Sequence, residues 1–172
     1  MFDVGVMKSK RPLQFSEVQG ALDRIKYGGG TALFNAIGQI CTTILSRAGN
    51  PDFPRRAIVL ISDGNDNQSR MTLKEAIEAA EKEGVAIFSL ATSSAQGPGE
   101  RFLGDASRNT GGQESTAKNI EDGVKPLLSA INGQLAIDLA SPVPPDQKLH
   151  SFVISTSNKN VQLSAPAKTS IQ

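Results

Sequence analysis

The sequence predicts an α/β fold with a mostly parallel sheet flanked by helices, and three observations carry that reading. Residues 57–61 form an unbroken apolar run rich in β-branched side chains, preceded by Arg55 and Arg56, which reads as a strand covered on both faces. A polar helical pattern over 72–82 and a second apolar run over 85–90 follow at the spacing of a βαβ unit, which requires parallel strands and a right-handed crossover. The same strand and helix alternation continues to residue 131.

In chain order, 1–7 alternates weakly and reads as a short edge strand, ahead of a basic stretch at 8–11. Ser16 and Gln19 make a capping box for a helix with Val18, Ala21, Leu22 and Ile25 on its apolar stripe. Gly28, Gly29 and Gly30 form a loop, and Thr31 stands where the next helix begins. That helix, 32–46, places Leu33, Ile37, Ile40, Cys41 and Ile44 on one face, and 48–54 is a loop leading into the 57–61 strand, read as the central one. Leu73, Ala76, Ile77 and Ala80 form the buried side of the 72–82 helix, with Gly84 as its C-terminal cap.

Beyond the second strand, 93–99 is a loop, 100–108 a short helix closed by Thr110, Gly111 and Gly112, and 113–116 a short strand. The helix over 119–131 turns Ile120, Val124, Leu127, Leu128 and Ile131 inward. After Gly133 the pattern changes to short strand-like runs at 135–139, 152–154 and 161–163, broken by SPVPPDQ. Such strands need another surface to lie on. The organisation is therefore an α/β unit over 1–132 and a β appendage over 133–172.

Eighteen Lys and Arg against seventeen Asp and Glu leave a net charge of +1, so bulk electrostatics implies no nucleic-acid partner. Cys41 is the only cysteine and reads as a buried structural thiol, which excludes an internal disulfide. His150 is the only histidine, with no second His or Cys to build a zinc site. No run approaches the roughly twenty apolar residues of a membrane helix, and no export leader begins at Met1.

A site is expected where the 57–61 strand ends. Ligands bind outside the carboxyl ends of parallel strands, which is where Ser62, Asp63, Gly64 and Asp66 fall. The reading for Asp66 and Ser69 is a turn in which Asp and Asn bond their own backbone and Ser69 caps the next helix. Asp63 is the better placed ligand, beside the Gly30–Thr31 helix start.

GGGTALFNAI at 28–37, VLISDGNDN at 59–67 and TGG at 110–112 together resemble the von Willebrand factor type A domain family, closest to its bacterial branch with a short β tail. The resemblance implies a Rossmann-like sheet with a metal-ion-dependent adhesion site at its carboxyl edge. It implies Thr31 and Asp63 as ligands of Mg2+ or Mn2+, with Gly30, Ser62, Gly64 and Asp66 as rim or further ligands. The family's Asp-x-Ser-x-Ser motif is not in this chain, whose first strands are expected to lie before Met1. One hydroxyl and one carboxylate leave four or more positions of an octahedral ion to water, so the expected site is incomplete and weak.

The expected function is a noncatalytic adhesion-type module that receives an acidic side chain from a protein partner, in an extracytoplasmic setting implied by the resemblance. The alternatives are a magnesium-dependent phosphoryl or ester hydrolase using Asp63 and Asp66, or a purely structural partial domain. Against the hydrolase, no phosphate loop, nucleophile elbow or histidine beside either acid is found. A strand lacking its neighbour is further expected to favour self-association through the open sheet edge.

Overall fold

A computed structural model describes residues 14–24, 29–46, 55–92, 96–116, 119–135, 144–146, 148–161 and 163–170. The elements are α1 (Phe15–Leu22), α2 (Leu33–Gln39) running into a π-helical turn (Ile40–Ile44), β1 (Arg56–Ser62), α3 (Leu73–Glu83), β2 (Val85–Ala91), α4 (Pro98–Asn109), β3 (Glu114–Thr116), α5 (Ile120–Asn132), β4 (Leu149–Ser151) and β5 (Lys168–Ser170). β1, β2 and β3 form a parallel sheet in that order, and β4 pairs antiparallel with β5. The expected α/β class with a small C-terminal β element is the architecture found.

The sheet register fixes which faces are covered. Ile58 and Leu60 of β1 lie beside Ile87 and Ser89 of β2 and pack with Val85, Ile37, Cys41, Ala76, Ala80, Phe102, Leu103 and Ala106, a core made by α2, α3 and α4. The opposite face carries Ala86, Phe88 and Leu90, which α5 covers with Leu127, Val124, Ala130 and Ile131. Cys41 is fully buried, and burial first, then the Glu83 charge, pushes its thiol up to about 12, which fits the structural role expected of it.

Burial corrects the reading of 57–61. Among the described residues β2, not β1, is the middle strand, buried at all seven positions. β1 alternates between covered and open, with Val59 53% and Ile61 51% exposed. α5 packs on β2 and β3 and does not extend over β1, so one β1 face lacks a helix among the described residues.

Other elements shift for local reasons. α1 begins at Phe15, and the Glu17 carboxylate accepts from the Gln14 N–H (2.8 Å), so Ser16 is inside the helix rather than its cap. The 32–46 helix is α2 plus a π turn. There the Thr42 and Thr43 hydroxyls bond back to the carbonyls of Gly38 (2.8 Å) and Gln39 (2.6 Å), competing with the regular ladder. Ile120 and Leu128, read as inward, are 57% and 53% exposed, because α5 buries a narrower stripe centred on Gly123 and Leu127. Gly84 closes α3 in the left-handed conformation as expected.

In the tail, 152–154 is not a strand and Val161 and Leu163 lie outside any strand, residue 162 falling outside the described residues; pairing occurs at β4 and β5 instead. Leu135 is outside any strand and 82% exposed. The tail lies on the α/β body through backbone contacts: the Ala167 N–H donates to Asn109 O (2.7 Å), the Ser164 hydroxyl to Gly112 O (3.0 Å) and the Ser170 hydroxyl to Lys82 O (3.0 Å). The readings for 1–7, 8–11, Ile25, Gly28, 48–54, 93–95 and 136–139 fall outside the described residues, as does part of the 141–147 turn.

Candidate functional site at the carboxyl edge of the sheet

α2 starts without a cap of its own. Its N-cap residue, Ala32, has no side-chain acceptor, yet the first N–H groups of a helix need partners. The loop after β1 supplies them. Asp66 Oδ2 accepts from the Phe34 N–H (2.9 Å) and Ser69 Oγ from the Asn35 N–H (2.9 Å), while the Ser69 hydroxyl donates to Asp66 Oδ2 (2.6 Å).

The bonding is reciprocal. Asn35 Oδ1 accepts from the N–H groups of Arg70 (3.2 Å) and Met71 (2.9 Å), and Asn67 Oδ1 accepts from the Thr31 N–H (2.8 Å). Thr31 O receives the Asn67 and Gln68 N–H groups, both at 3.0 Å. A Cβ on Gly30 would collide with the Gln68 side chain and Asn67 Oδ1, so a larger residue there would have to displace the side chains that join the two loops.

Asp66 also takes the Gln68 (3.2 Å) and Ser69 (2.9 Å) N–H groups on Oδ1. Burial pushes its carboxyl up, but the Ser69 hydroxyl and the N–H groups of Phe34, Ser69 and Gln68 outweigh this and hold it below the usual 3.8. Asp66 is therefore a latch between loops rather than an open ligand. Ser69 caps the preceding helix α2, not the next one, because the uncapped helix start lies against it. α3 is capped by Thr72, whose Oγ1 accepts from the Glu75 N–H (3.3 Å) while Glu75 Oε2 takes the Thr72 N–H (2.7 Å).

Asp63 is bound differently. Its two oxygens take the backbone N–H and side-chain Nδ2–H of Asn65, each at 3.1 Å, and it is half-buried. Ser62 Oγ accepts from the Gly64 N–H (3.0 Å), and Gly64 has φ 77°. A Cβ on Gly64 would run into the Gly99 carbonyl at the start of α4, which fixes the turn against that helix. Behind the rim the Phe34 and Phe102 rings meet edge to face at 4.9 Å, tying α2 to α4.

The structure thus docks the backbone of Thr31, which is exposed, onto the loop that carries Asp63. It uses Asp66 to join the two loops. Among the described residues no group of three or more His, Cys, Asp or Glu is placed to hold a metal ion. The donors present are few for a dication: Asp66 accepts the bonds that hold the loops together, and Asp63 bonds Asn65 through both oxygens. His150 lies on β4, its ring bonded to Asp146 (2.8 Å).

Asn35 and Asn67, which align the two loops, had no sequence signal of their own, since their partners lie more than thirty residues away. The uncapped Ala32 start was the available clue.

Family comparison agrees with this geometry. The family model described as von Willebrand factor type A domain matches residues 6–122, and the chain belongs to that family. Membership marks it, at that level, as a protein-interaction module, in a family whose domains often bind Mg2+ or Mn2+. Among solved structures, a protein of Vibrio fischeri described as an uncharacterized membrane spanning protein is similar at 22% identity and TM-score 0.41. The match covers 68% of this chain and 64% of that one, so this chain spans less than two thirds of that protein's length. No curated protein matches. No helix among the described residues is long and apolar enough to cross a membrane.

Proposed function

We propose that the chain is a noncatalytic docking module that receives an acidic side chain of a partner protein at the rim built by 29–31, 62–69 and 96–99. Mg2+ or Mn2+ takes part only weakly there, through Thr31 and Asp63. The observation that carries this reading is the division of labour between the two acids: Asp66 is consumed in holding the loops together, while Asp63 bonds within its own turn, on the loop whose Asn67 and Gln68 hold the backbone of the exposed Thr31. A rim held rigid from behind suits recognition, since binding then orders little. The hydrolase alternative loses its second carboxylate to the latch, and no nucleophile with an adjacent base stands beside Asp63 among the described residues. An extracytoplasmic setting rests on the family resemblance.

Calorimetry with MgCl2 and MnCl2 should give millimolar or weaker binding that Asp63→Ala removes, as expected for a hard cation offered so few oxygens. Micromolar binding would overturn the weak-site reading. With a short polyglutamate peptide and Mg2+, amide NMR shifts should cluster at Gly30, Thr31 and 62–65. Shifts confined to another surface, or turnover of p-nitrophenyl phosphate that disappears in Asp63→Asn, would defeat the docking reading.

A further inference from the structure

The fastening of the tail to the α/β body contains a buried charge that the rim chemistry does not use. Residues 164–170 lie at the amino edge of the sheet, the end opposite the rim, where α3 and α4 run out before β2 and β3. The last carbonyls of a helix have no partner within it, and here the tail supplies donors. The Ser170 hydroxyl donates to Lys82 O (3.0 Å), the Ala167 N–H to Asn109 O (2.7 Å) and the Ser164 hydroxyl to Gly112 O (3.0 Å), with Pro166 bridged to Thr110. α3 packs against β5, and Glu81, next to Lys82 on α3, is only 4% exposed.

A carboxylate so deeply buried normally has a paired cation or several donors. Among the described residues the Glu81 carboxylate accepts no hydrogen bond; Lys168 of β5 only partly offsets its loss of water, and Glu78 on its own helix opposes ionisation further. The other elements packed on α3 add no charge at this point. β2 and α2 carry no titratable side chain, the Cys41 thiol of the π turn is kept neutral by burial, and Glu100, Arg101, Asp105 and Arg108 of α4 do not act on Glu81. Burial therefore holds the Glu81 carboxyl above the usual 4.5, and the seated tail favours its protonated form.

We propose that Glu81 makes the 164–170 segment a pH-sensitive strap, seated on α3 while that carboxyl is protonated and loosened once it is ionised. Release restores water to the charge, so the open tail is the state in which an ionised Glu81 is comfortable. The sign is opposite to that of a carboxylate held by donors. With the folded value above the unfolded one near 4.5, the contribution of Glu81 is fully present below the unfolded value and is lost as pH rises through the folded value. The three carbonyl contacts contain no titrating group, so they hold the strap equally at either end of that range.

Amide exchange on the full chain, corrected for the intrinsic rate at each pH, reads the strap at the Ala167 N–H. At about pH 7.5 this amide should be less protected than that of Phe88 in β2, because the tail opens while the body stays folded. Glu81→Gln keeps the shape and drops the charge; it should raise Ala167 protection about three- to tenfold at about pH 7.5 and stay within about twofold of the parent at about pH 4.5. Lys168→Gln takes away the partial offset and should lower protection at the higher pH only. Equal protection of Ala167 and Phe88 would overturn the proposal, since the tail then leaves only when the whole chain unfolds. So would a Glu81→Gln chain no more protected than its parent at the higher pH, and a less protected one would show that Lys168 holds an ionised Glu81 in place. Equal losses in Lys168→Gln at both pH values would give that side chain a packing role and defeat the charge argument.

Discussion

β1 and β2 have the same length, pair residue for residue, and read almost alike in sequence, yet β2 is buried at all seven positions and β1 only on one side. The difference lies in their neighbours. Among the described residues β2 has a strand on each side, α3 and α4 on one face and α5 on the other, whereas β1 has β2 and the helices of one face. An apolar run therefore states that a strand can be buried; its place in the sheet determines how much of it is. The loop leaving β1 is fastened to α2, through the Asp66 and Ser69 side chains that accept from the Phe34 and Asn35 N–H groups.

The largest expected effect contrasts the two strands directly. Phe88→Ala should cost about 3 to 5 kcal/mol in chemical denaturation, the range for deleting a buried aromatic side chain. Val59→Ala, its register partner, should cost under about 1 kcal/mol as a half-exposed position. Equal losses would mean that the open face of β1 is covered in solution.

Next is the latch. Asp66→Ala leaves the Phe34 N–H and the Ser69 hydroxyl without their acceptor and should cost about 2 to 3 kcal/mol, in the range for bonds to a charged group. Asp63→Ala, losing only bonds within its own turn, should cost about 1 kcal/mol or less. The reverse order would move the structural role to Asp63 and reopen Asp66 as a ligand.

The same latch gives a pH signature. Burial raises the Asp66 carboxyl, but the bonds it accepts lower it further, so its folded pKa lies below the unfolded value near 3.8. Its contribution is then fully present above that value and is lost as pH falls through the lower folded pKa. Burial, only partly opposed by Lys168 and reinforced by Glu78, shifts Glu81 upward, so it acts in the opposite sense at higher pH. Melting temperatures of Asp66→Asn should therefore fall less steeply with acid than those of the parent chain. Parallel curves would show that the latch carboxylate does not set the acid limb.

The smallest effect tests a cap remote from either strand face. Thr72→Ala should cost about 1 kcal/mol by removing one half of the α3 capping box. A loss well above that would mean that α3, which packs on β2 and on β5, transmits its fraying to the sheet and the tail.

Much of the α/β body was legible in the sequence because it rests on short-range chemistry. Two apolar runs bracketing an amphipathic helix specify a parallel pair, and Gly84 marks a helix end by the left-handed backbone only glycine takes easily. Thr31 and the turn at 62–66 were legible as a meeting place for the same reason, a helix start and a strand end at the expected spacing. The cap of α1 was misread because Ser16 and Gln19 fit a pattern of which Glu17 supplies one half two residues earlier, accepting from the Gln14 N–H. Tertiary structure alone decided the rest. Asp66 became a latch because an uncapped helix start thirty-two residues away required an acceptor, and no local pattern encodes that demand. β1 became half-open because burial of a strand depends on the elements packed on each face, a property of the assembled sheet that the strand's own residues do not contain.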